Sequence, residues 1–482
     1  MRANLPALLT LAVYAALLIG VSYWASRRVR AEAGTFLLGG RALGPVVSGL
    51  AYAASSSSAW VLLGYSGFVY AVGPSALWMI PGILAGYAAV WLFAGPVLQR
   101  ASREDGHLTL TSFLTAGAGP GTARTIRIAA SGMIAFSFSY YIASQFQGAG
   151  IALDDLFGTG IAGGIVLGAA IILGYTLAGG FLAVSVINTV QGLVMMLVAI
   201  LLPAMAFLAA GGMAGISQAL EAAPEGYLDP FGGRAGWVAA GFVTGLMATG
   251  FGALGQPHLI SWIMAARDAR ARVTGAGVAI GWGALVYAGM AVLGLSARAL
   301  LGAEAPAEGV FFKLAADLLP GILAGIVAAA ILSAIMSTVD SQLLVAGGAI
   351  SHDLGAARLF GGRTVLATRV AMAGLSAAAV ALTLALPATI FERTLFAWTA
   401  LGASFGPVVV ARALGWRPGG AAVLAAILGG FGVSLAFEFG LDAGPGAVWA
   451  RTLPWVAGGL GLSLGGIFAR RAEKRLGAAP GL

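Results

Sequence analysis

The sequence contains no cysteine, and only 9% of its 482 residues are charged. The absence of cysteine excludes disulfides, thiolate metal sites and cysteine nucleophiles. An apolar share of 59%, together with so little charge, excludes an ordinary soluble domain. The few histidines, His107, His258 and His352, all fall near the inner ends of apolar runs, and no cluster of acid, base or metal ligands accompanies them. We therefore expect no enzymatic activity.

Long apolar runs make up most of the chain, and about 20 such residues suffice to cross a bilayer as a helix. The predicted fold class is an all-α membrane protein with thirteen transmembrane helices. We place these spans near residues 5–26, 46–70, 75–98, 128–150, 157–177, 181–210, 236–264, 273–297, 319–347, 367–387, 391–411, 419–438 and 448–469. The first run is too long for a signal-peptide core and precedes Arg27 and Arg28 without a cleavage pattern, so we expect it to be retained.

Arginine is concentrated on alternate connections between the predicted spans. Examples are Arg41 after the first span, Arg267 and Arg270 after the seventh, and Arg470 after the last. Basic residues mark cytoplasmic loops, so we expect the N-terminus outside the cell and the C-terminus in the cytoplasm. The formal net charge of +8 is thus a signal of topology, and we expect no nucleic-acid partner. No long polar segment interrupts the spans, which predicts a single polytopic membrane domain over residues 1–482.

Asp340 is the only charged residue in the middle of an apolar run. A carboxylate in hydrocarbon costs about 2.5 to 3.5 kcal/mol on insertion scales, so one that persists usually faces an ion pathway or a partner. On a helix, Ser337, Asp340 and Ser341 share a face, and Thr338 lies beside them. These side chains offer hard oxygen ligands to a small cation. The alternative is that the hydroxyls only bond carbonyls of the preceding turn.

Two predicted spans contain sequences that interrupt a helix. The second carries Ala54-Ser55-Ser56-Ser57-Ser58-Ala59-Trp60, in which hydroxyls compete for backbone hydrogen bonds. The seventh carries Gly245, Gly250, Gly252, Gly255, Gln256 and Pro257, which weaken helical bonding. The two spans lie five apart in order, which is typical of a secondary transporter built as an inverted repeat with its binding site at the interruptions.

Five stretches resemble the sodium/solute symporter family: GGRALGP (39–45), GGFLAVSVINTVQ (179–191), GQPHL (255–259), AAILSAIMSTVDSQLLV (329–345) and AWTALGASFGPVV (397–409). The resemblance extends from about residue 5 to 470. It implies thirteen helices, with a five-plus-five inverted-repeat core in spans 2 to 11, about residues 43–412, and peripheral spans at 5–26, 419–438 and 448–469. It also implies sodium-driven import of a small organic solute by alternating access across a bacterial inner membrane. We expect sodium as coupling ion, no other cofactor or metal, and a monomer working in the lipid bilayer.

The resemblance also implies roles for individual residues. The sodium ligands are expected to be the carbonyls of Ala54, Ser57 and Ala334 and the hydroxyls of Ser337 and Thr338. The residues expected to couple to the ion are Asp340, Ser341 and Asn188. The residues expected to bind the solute are Ser56, Ser58, Trp60, Tyr141, Gln145, Thr249, Ala253 and Gln256, although Tyr141 and Gln145 could instead bond a neighbouring helix.

The sequence departs from the pattern of related family members at four of these positions. Ser56 and Asn188 stand where those members have aspartates, so we do not expect a second sodium ion. Thr249 and Ala253 stand where they have aromatic rings, which widens the expected pocket. The solute is therefore expected to be an amino acid such as proline, a bulkier amino acid or an organic acid. Two alternatives remain: a membrane sensor acting through a separate partner, and a proton-coupled carrier of an organic acid.

Overall fold

In the computed structural model, which describes residues 5–27, 33–386, 389–440 and 449–477, every regular element is helical. In lipid every backbone N–H and C=O group needs a partner within the protein, and a helix satisfies its own backbone hydrogen bonds. The α-helices are α1 (Leu5–Ser26), α2 (Ala33–Leu38), α3 (Pro45–Ser56), α4 (Ser66–Val72), α5 (Met79–Ala88), α6 (Gly95–Arg103), α7 (Leu110–Leu114), α8 (Pro120–Phe157), α9 (Ile161–Ala209), α10 (Gly212–Leu220), α11 (Gly236–Phe251), α12 (Pro257–Ala265), α13 (Ala269–Leu301), α14 (Val310–Leu318), α15 (Gly321–Gly348), α16 (Thr364–Ala385), α17 (Ile390–Ala413), α18 (Gly420–Phe439) and α19 (Leu453–Gly477).

Nine helical stretches within the described ranges are long and apolar enough to cross a membrane. They are Trp60–Arg103, Pro120–Asp155, Gly180–Ala209, Gly236–Gly255, Ala269–Leu301, Gly321–Asp353, Thr364–Ala385, Ile390–Ala413 and Gly420–Phe439. Two shorter apolar helices, Leu9–Val21 and Ile161–Leu177, coincide with the first and fifth predicted spans. The all-helical membrane architecture is thus confirmed, and the count of thirteen stays a prediction. Residues 387 and 448, at the edges of two predicted spans, lie outside the described residues.

Both predicted interruptions are present. α3 ends at Ser56, and the chain becomes helical again in a π-helical segment, Trp60–Tyr65, that continues into α4. α11 ends at Phe251 and is followed by a 3-10 turn, Gly252–Gly255, and then by α12. We call the first interruption, residues 57–59, the serine break, and the second, residues 252–256, the glycine break.

The fifth and sixth predicted spans are the two parts of α9, which bends at Gly180. Gly180 has φ 59° and ψ −171°, a conformation that residues with a side chain rarely adopt. A Cβ atom there would lie 2.9 Å from Cδ2 of Phe36. The bend therefore depends on glycine, which also leaves room for the Phe36 ring.

The start of the first interrupted helix and the end of the second are held together by backbone hydrogen bonds. The N–H of Leu43 donates to the carbonyl of Ala265 at 3.1 Å, and the N–H of Arg267 donates to the carbonyl of Leu43 at 2.9 Å. The Arg103 guanidinium donates to the carbonyl of Ala266 at 3.1 Å. These contacts fix the two interrupted helices relative to each other at this end.

α15 and α17 are the most enclosed of the apolar helices. Over an apolar stretch of 18 residues, 78% of the residues are buried in the segment that contains α15 and 89% in α17. α15 packs against α3, α8 and α9, and α17 packs against α8, α18 and the glycine break. The two breaks therefore lie against the central helices and away from lipid.

Candidate functional site

Four of the five predicted sodium ligands lie where α15 passes the end of α3, next to the serine break. The Ser337 hydroxyl lies 3.1 Å from the carbonyl oxygen of Ala54 and 3.2 Å from that of Ala334, and these two acceptors share its single proton. The Thr338 hydroxyl donates to the carbonyl of Ser55 at 3.0 Å. All five residues are buried. A hydroxyl oxygen also has two lone pairs. When the hydroxyl proton rotates away, the hydroxyl oxygen and the carbonyl oxygen that accepted it can both face a cation.

Ser57, the fifth predicted ligand, lies at the end of α3 with a non-helical backbone, φ −110° and ψ 66°. Its N–H donates to the carbonyls of Ala53 and Ala54 at 3.1 and 3.2 Å. Its buried hydroxyl has no hydrogen-bond partner among the described residues. An unpaired buried hydroxyl is costly, so Ser57 has capacity left for a ligand.

A second cluster adjoins Ser337 through its backbone carbonyl and contains all three residues expected to couple to the ion. Nδ2 of Asn188 lies 3.0 Å from the Ser337 carbonyl, 3.0 Å from Oγ of Ser341 and 3.4 Å from Oδ1 of Asp340. Oγ of Ser55 lies 3.0 Å from the same nitrogen and 2.9 Å from Oγ of Ser341. Ser337 thus belongs to both clusters, with its hydroxyl in one and its carbonyl in the other.

Tyr175 is a partner of Asp340 that the sequence did not reveal. Its hydroxyl donates to Oδ2 of Asp340 at 3.3 Å and to the carbonyl of Met336 at 3.2 Å. The Ser341 hydroxyl donates to Oδ1 of Asp340 at 3.1 Å. Among the ion pairs of the described residues, none includes Asp340. The carboxyl group is therefore held by neutral donors, which stabilise a negative charge less than a cationic partner would.

Two of the predicted solute-binding residues reach the serine break from α8. The Tyr141 hydroxyl donates to Oγ of Ser58 at 3.3 Å, and Oε1 of Gln145 accepts the N–H of Ala59 at 2.9 Å. These residues are buried. Ser58, Tyr141 and Gln145 are therefore brought together as expected. Both α8 side chains also bond a neighbouring helix, which was the alternative.

Ser56 and Trp60 make contacts at the two sides of the serine break. The Ser56 hydroxyl donates to the carbonyl of Ala53 at 2.8 Å and contacts the hydroxyl of Tyr87. The Trp60 ring lies 6.0 Å from the ring of Phe391, and its Nε1 has no partner among the described residues. Trp60 thus forms part of an aromatic wall with a free donor.

The glycine break is held by Trp398 of α17. The indole N–H of Trp398 donates to the carbonyl of Thr249 at 2.6 Å, and Nε2 of Gln256 donates to the carbonyl of Trp398 at 2.9 Å. A Cβ on Gly252 would lie 2.2 Å from the Trp398 ring. Thr249, Ala253 and Gln256 are all buried. The Trp398 ring therefore lies where the backbone of the glycine break leaves space.

His258 belongs to this region, although it was not among the predicted site residues. Its ring lies 5.2 Å from the ring of Phe138 and 6.3 Å from the ring of Tyr141. The side chain is 1% exposed, and neither ring nitrogen has a hydrogen-bond partner among the described residues. The position in the first turn of α12, directly after the break, was the signal that could have identified it.

A cavity of about 330 Å³ approaches both breaks. Its lining includes Phe242 and Gly245 of α11 and Phe391 and Thr399 of α17. Phe391 packs against Trp60, and Gly245 lies one turn before Thr249 on the same helix. The cavity therefore lies next to neighbours of Trp60 and Thr249, but its described lining includes none of the predicted solute-binding residues.

Comparison with known proteins identifies relatives along most of the chain. The model of the sodium:solute symporter family matches residues 36–417. The chain is 31% identical over 403 residues to the high-affinity proline transporter PutP of Bacillus subtilis, covering 82% of this chain and 84% of that protein. It is 32% identical over 425 residues to the sodium/proline symporter of Escherichia coli, covering 85% and 83%.

The fold is also shared with solved structures. A Na+-coupled sialic acid symporter in a substrate-bound, outward-open state aligns with a TM-score of 0.77 and 18% identity, covering 96% of this chain and 98% of that one. Mhp1, a nucleobase-cation-symport-1 family transporter in a closed conformation, aligns with a TM-score of 0.58 and 14% identity, covering 91% and 95%. At these identities the likeness concerns the fold.

Proposed function

Because this chain belongs to the sodium:solute symporter family, we propose that it imports an amino acid together with sodium, with proline as the first candidate. Membership makes the chain a sodium-coupled solute symporter and not an enzyme, with sodium as its coupling ion. The proline carriers that are 31% and 32% identical to it support proline as the solute. Thr249 and Ala253 favour a pocket that also admits bulkier amino acids.

Sodium binds, in this proposal, between α3 and α15 at Ala54, Ser57, Ala334, Ser337 and Thr338. The observation that carries the assignment is the Ser337 hydroxyl, which lies 3.1 and 3.2 Å from carbonyls of two different helices. About five neutral oxygens hold a monovalent ion firmly enough to enter and weakly enough to leave.

One sodium ion is bound per cycle. The amide nitrogen of Asn188 lies among four oxygens, from Ser55, Ser337, Asp340 and Ser341, and its N–H groups are the positive partner of that cluster. The cluster is coupled to the sodium ion through Ser337, whose hydroxyl is an ion ligand and whose carbonyl accepts from Asn188.

The solute lies between the two breaks. Its pocket is formed by Ser56, Ser58, Trp60, Tyr141, Gln145, Thr249, Ala253 and Gln256. The hydrogen bonds of Tyr141 and Gln145 to the serine break support this assignment from α8. The pairing of Gln256 with Trp398 supports it from α12 and α17.

The remaining architecture follows the same proposal. The whole chain, residues 1–482, forms one membrane transport domain of thirteen transmembrane helices in a bacterial inner membrane, with a five-plus-five inverted repeat at about residues 43–412. The N-terminus is outside and the C-terminus in the cytoplasm, a monomer is the working unit, and transport proceeds by alternating access. The matching breaks five spans apart and the arginine distribution support this arrangement.

Transport in proteoliposomes tests the proposed function. Radiolabelled proline and a panel of bulkier amino acids and carboxylic acids are offered with an inward sodium gradient, with an equal potassium gradient and with a proton gradient alone. We expect uptake of proline or a bulkier amino acid that requires the sodium gradient. Uptake driven equally by protons alone, or restricted to carboxylic acids without an amino group, would contradict the proposal.

A further inference from the structure

The N–H of Ala59 is a donor at the start of a helix inside the protein. Ala59 directly precedes the helical residues Trp60–Tyr65, which continue without interruption into Ser66–Val72. The first N–H groups of a helix have no partner within it and carry partial positive charge, so they attract anions. Ala59 is fully buried, and water cannot replace a missing partner as easily there as at a surface.

The partner of this N–H is the neutral amide oxygen of Gln145. Oε1 of Gln145 accepts from Ala59 at 2.9 Å, and Nε2 of Gln145 donates to Oγ of Ser144 at 3.0 Å. The Ser144 hydroxyl lies 2.9 Å from the hydroxyl of Thr394 on α17. A line of hydrogen bonds thus runs from the serine break through α8 to α17. A carboxylate at the Ala59 N–H would form a charge-assisted bond roughly twice as strong as the one that the amide forms.

The surroundings contain further buried donors without partners. The Ser57 hydroxyl and the Trp60 indole N–H flank Ala59 in the chain, and neither makes a hydrogen bond of ordinary geometry among the described residues, although the hydroxyls of Tyr87 and Tyr141 lie near them. Both side chains are at most 1% exposed. Unpaired buried donors raise the free energy of the folded protein until an acceptor arrives. Because such donors occur both before and after Ala59 in the chain, they favour a ligand with several acceptor lone pairs, as a carboxylate has.

We propose that Gln145 is a stand-in for the carboxylate of the transported solute. In the absence of solute its amide oxygen occupies the Ala59 N–H, and the arriving carboxylate displaces it. The displaced amide then no longer links the serine break to Ser144 and α17. Gln145 consequently lowers the apparent affinity for the solute. This inference rests on the proposed function, because it assigns the acid group of the solute to the serine break.

Binding measurements on the full-length protein in lipid nanodiscs test the proposal, with L-proline and L-prolinamide as probes in saturating sodium. We expect Gln145→Ala to bind L-proline about tenfold more tightly, since one competing hydrogen bond is removed. L-prolinamide, which lacks the carboxylate, should bind weakly to both proteins. The matched control is Gln147→Ala, because Gln147 bonds Arg393 at 3.2 Å instead of the break and should leave both affinities unchanged. A Gln145→Ala variant that binds L-proline no better than the wild type overturns the proposal.

Sodium binding without any solute gives a second readout that does not depend on proline being the solute. Gln145→Glu places a tethered carboxylate within reach of the Ala59 N–H, so the variant should resemble the solute-loaded state. In a symporter, solute and ion raise each other's affinity, so we expect Gln145→Glu to bind sodium several-fold more tightly than the wild type. If a folded Gln145→Glu protein binds sodium no more tightly than the wild type, the proposal that Gln145 occupies the site of the solute carboxylate is wrong. If wild-type protein fails to bind L-proline but this sodium result holds, the proposed solute is wrong and the inference stands.

Discussion

The two breaks interrupt their helices by different chemistry. The serine break contains the last two of four consecutive buried serines, and the hydroxyls of Ser337 and Thr338 on α15 bond the end of α3 directly before it. The glycine break contains Gly252 and Gly255, and at these two glycines the indole ring and the backbone of α17 pack closely against it. Hydroxyls and free carbonyls provide ligands, whereas glycine provides close approach. The comparison supports the proposal that the ion binds beside the serine break, and it shows that the glycine break lets a neighbouring helix pack closely.

The largest effect is expected from filling the glycine break. A Cβ on Gly255 would lie 2.3 Å from the carbonyl oxygen of Leu401 and 2.7 Å from Cα of Gly402, and both are backbone atoms. Overpacking typically costs 1 to 3 kcal/mol, and a rigid backbone neighbour places Gly255→Ala at about 3 kcal/mol or more. We expect a large loss of monodisperse protein after detergent extraction. Gly277→Ala is the control, because nothing lies within 4 Å of a Cβ there, and equal yields of the two variants would contradict the tight contact.

The next effect concerns the cluster that adjoins the serine break. Asp340→Asn replaces an acceptor oxygen by an NH2 group among the donors Asn188, Ser341 and Tyr175, and it removes the negative charge. Hydrogen bonds to charged groups contribute about 1.5 to 3 kcal/mol, so we expect sodium affinity to fall at least tenfold. Sodium titration by thermal shift measures this. Asp317→Asn, on the exposed face of α14, should behave like the wild type, and unchanged affinity in Asp340→Asn would leave Asp340 a packing residue.

A smaller effect on selectivity is expected at Thr249. Thr249→Trp introduces a ring before the glycine break and should narrow the pocket. In a tight pocket, one additional methylene group on the solute changes the binding free energy by about 1 to 3 kcal/mol. Uptake of bulkier amino acids should therefore fall at least fivefold relative to uptake of proline. Thr244→Trp, on the exposed side of the same helix, serves as the control. Identical substrate profiles of Thr249→Trp and wild type would show that this residue does not line the pocket.

The smallest effect is expected at Glu308, in the loop between α13 and α14. Glu308 accepts the N–H groups of Ile390 and Phe391 at 3.3 and 3.0 Å, at the start of α17. Burial raises the pKa of Glu308 above the usual value, although these N–H groups oppose the change. A carboxyl group whose pKa is raised on folding contributes stability below the unfolded pKa of about 4.3, and this contribution is lost as the pH rises through the folded pKa.

The melting temperature of the wild type relative to Glu308→Gln should therefore decrease by about 1 to 2 °C as the pH rises from about 4 to 7. Glu304→Gln, at an exposed position of the same loop, is the control variant. If the melting temperature of the wild type instead rises relative to that of Glu308→Gln as the pH increases, the N–H groups lower the pKa of Glu308 more than burial raises it.

Local sequence patterns predicted the helices and both breaks, because their causes are local. Apolar runs make membrane helices, and clustered serine, glycine and proline weaken backbone hydrogen bonds within a few residues. The same reasoning marked Asp340 and Ser337, since a polar face in an apolar helix is visible in one segment. Asn188 and Gln145 entered through family resemblance, and their contacts agree with roles near the serine break.

The residues that the sequence did not reveal depend on contacts between distant segments. Tyr175 lies 165 positions from Asp340 and looks like one more aromatic residue of an apolar helix. Ser55 was hidden among four similar serines, and only packing against Ser341 distinguishes it. His258 lies near the end of a span when counted along the chain, but the glycine break places its ring beside Tyr141. No local pattern specifies such pairings, because they are set by how the helices pack.

Sodium binding to Ser337→Ala and Ser333→Ala tests the central claim most directly. Both serines are buried on α15 four residues apart, but the Ser333 hydroxyl bonds Tyr14 and the carbonyl of Ala329 and not the serine break. We expect Ser337→Ala to lower sodium affinity by about tenfold or more, because one of about five ion ligands is lost. Ser333→Ala should keep wild-type affinity, and both variants should remain folded. Equal sodium affinities in the two variants would contradict the assignment of the ion site to the serine break and α15.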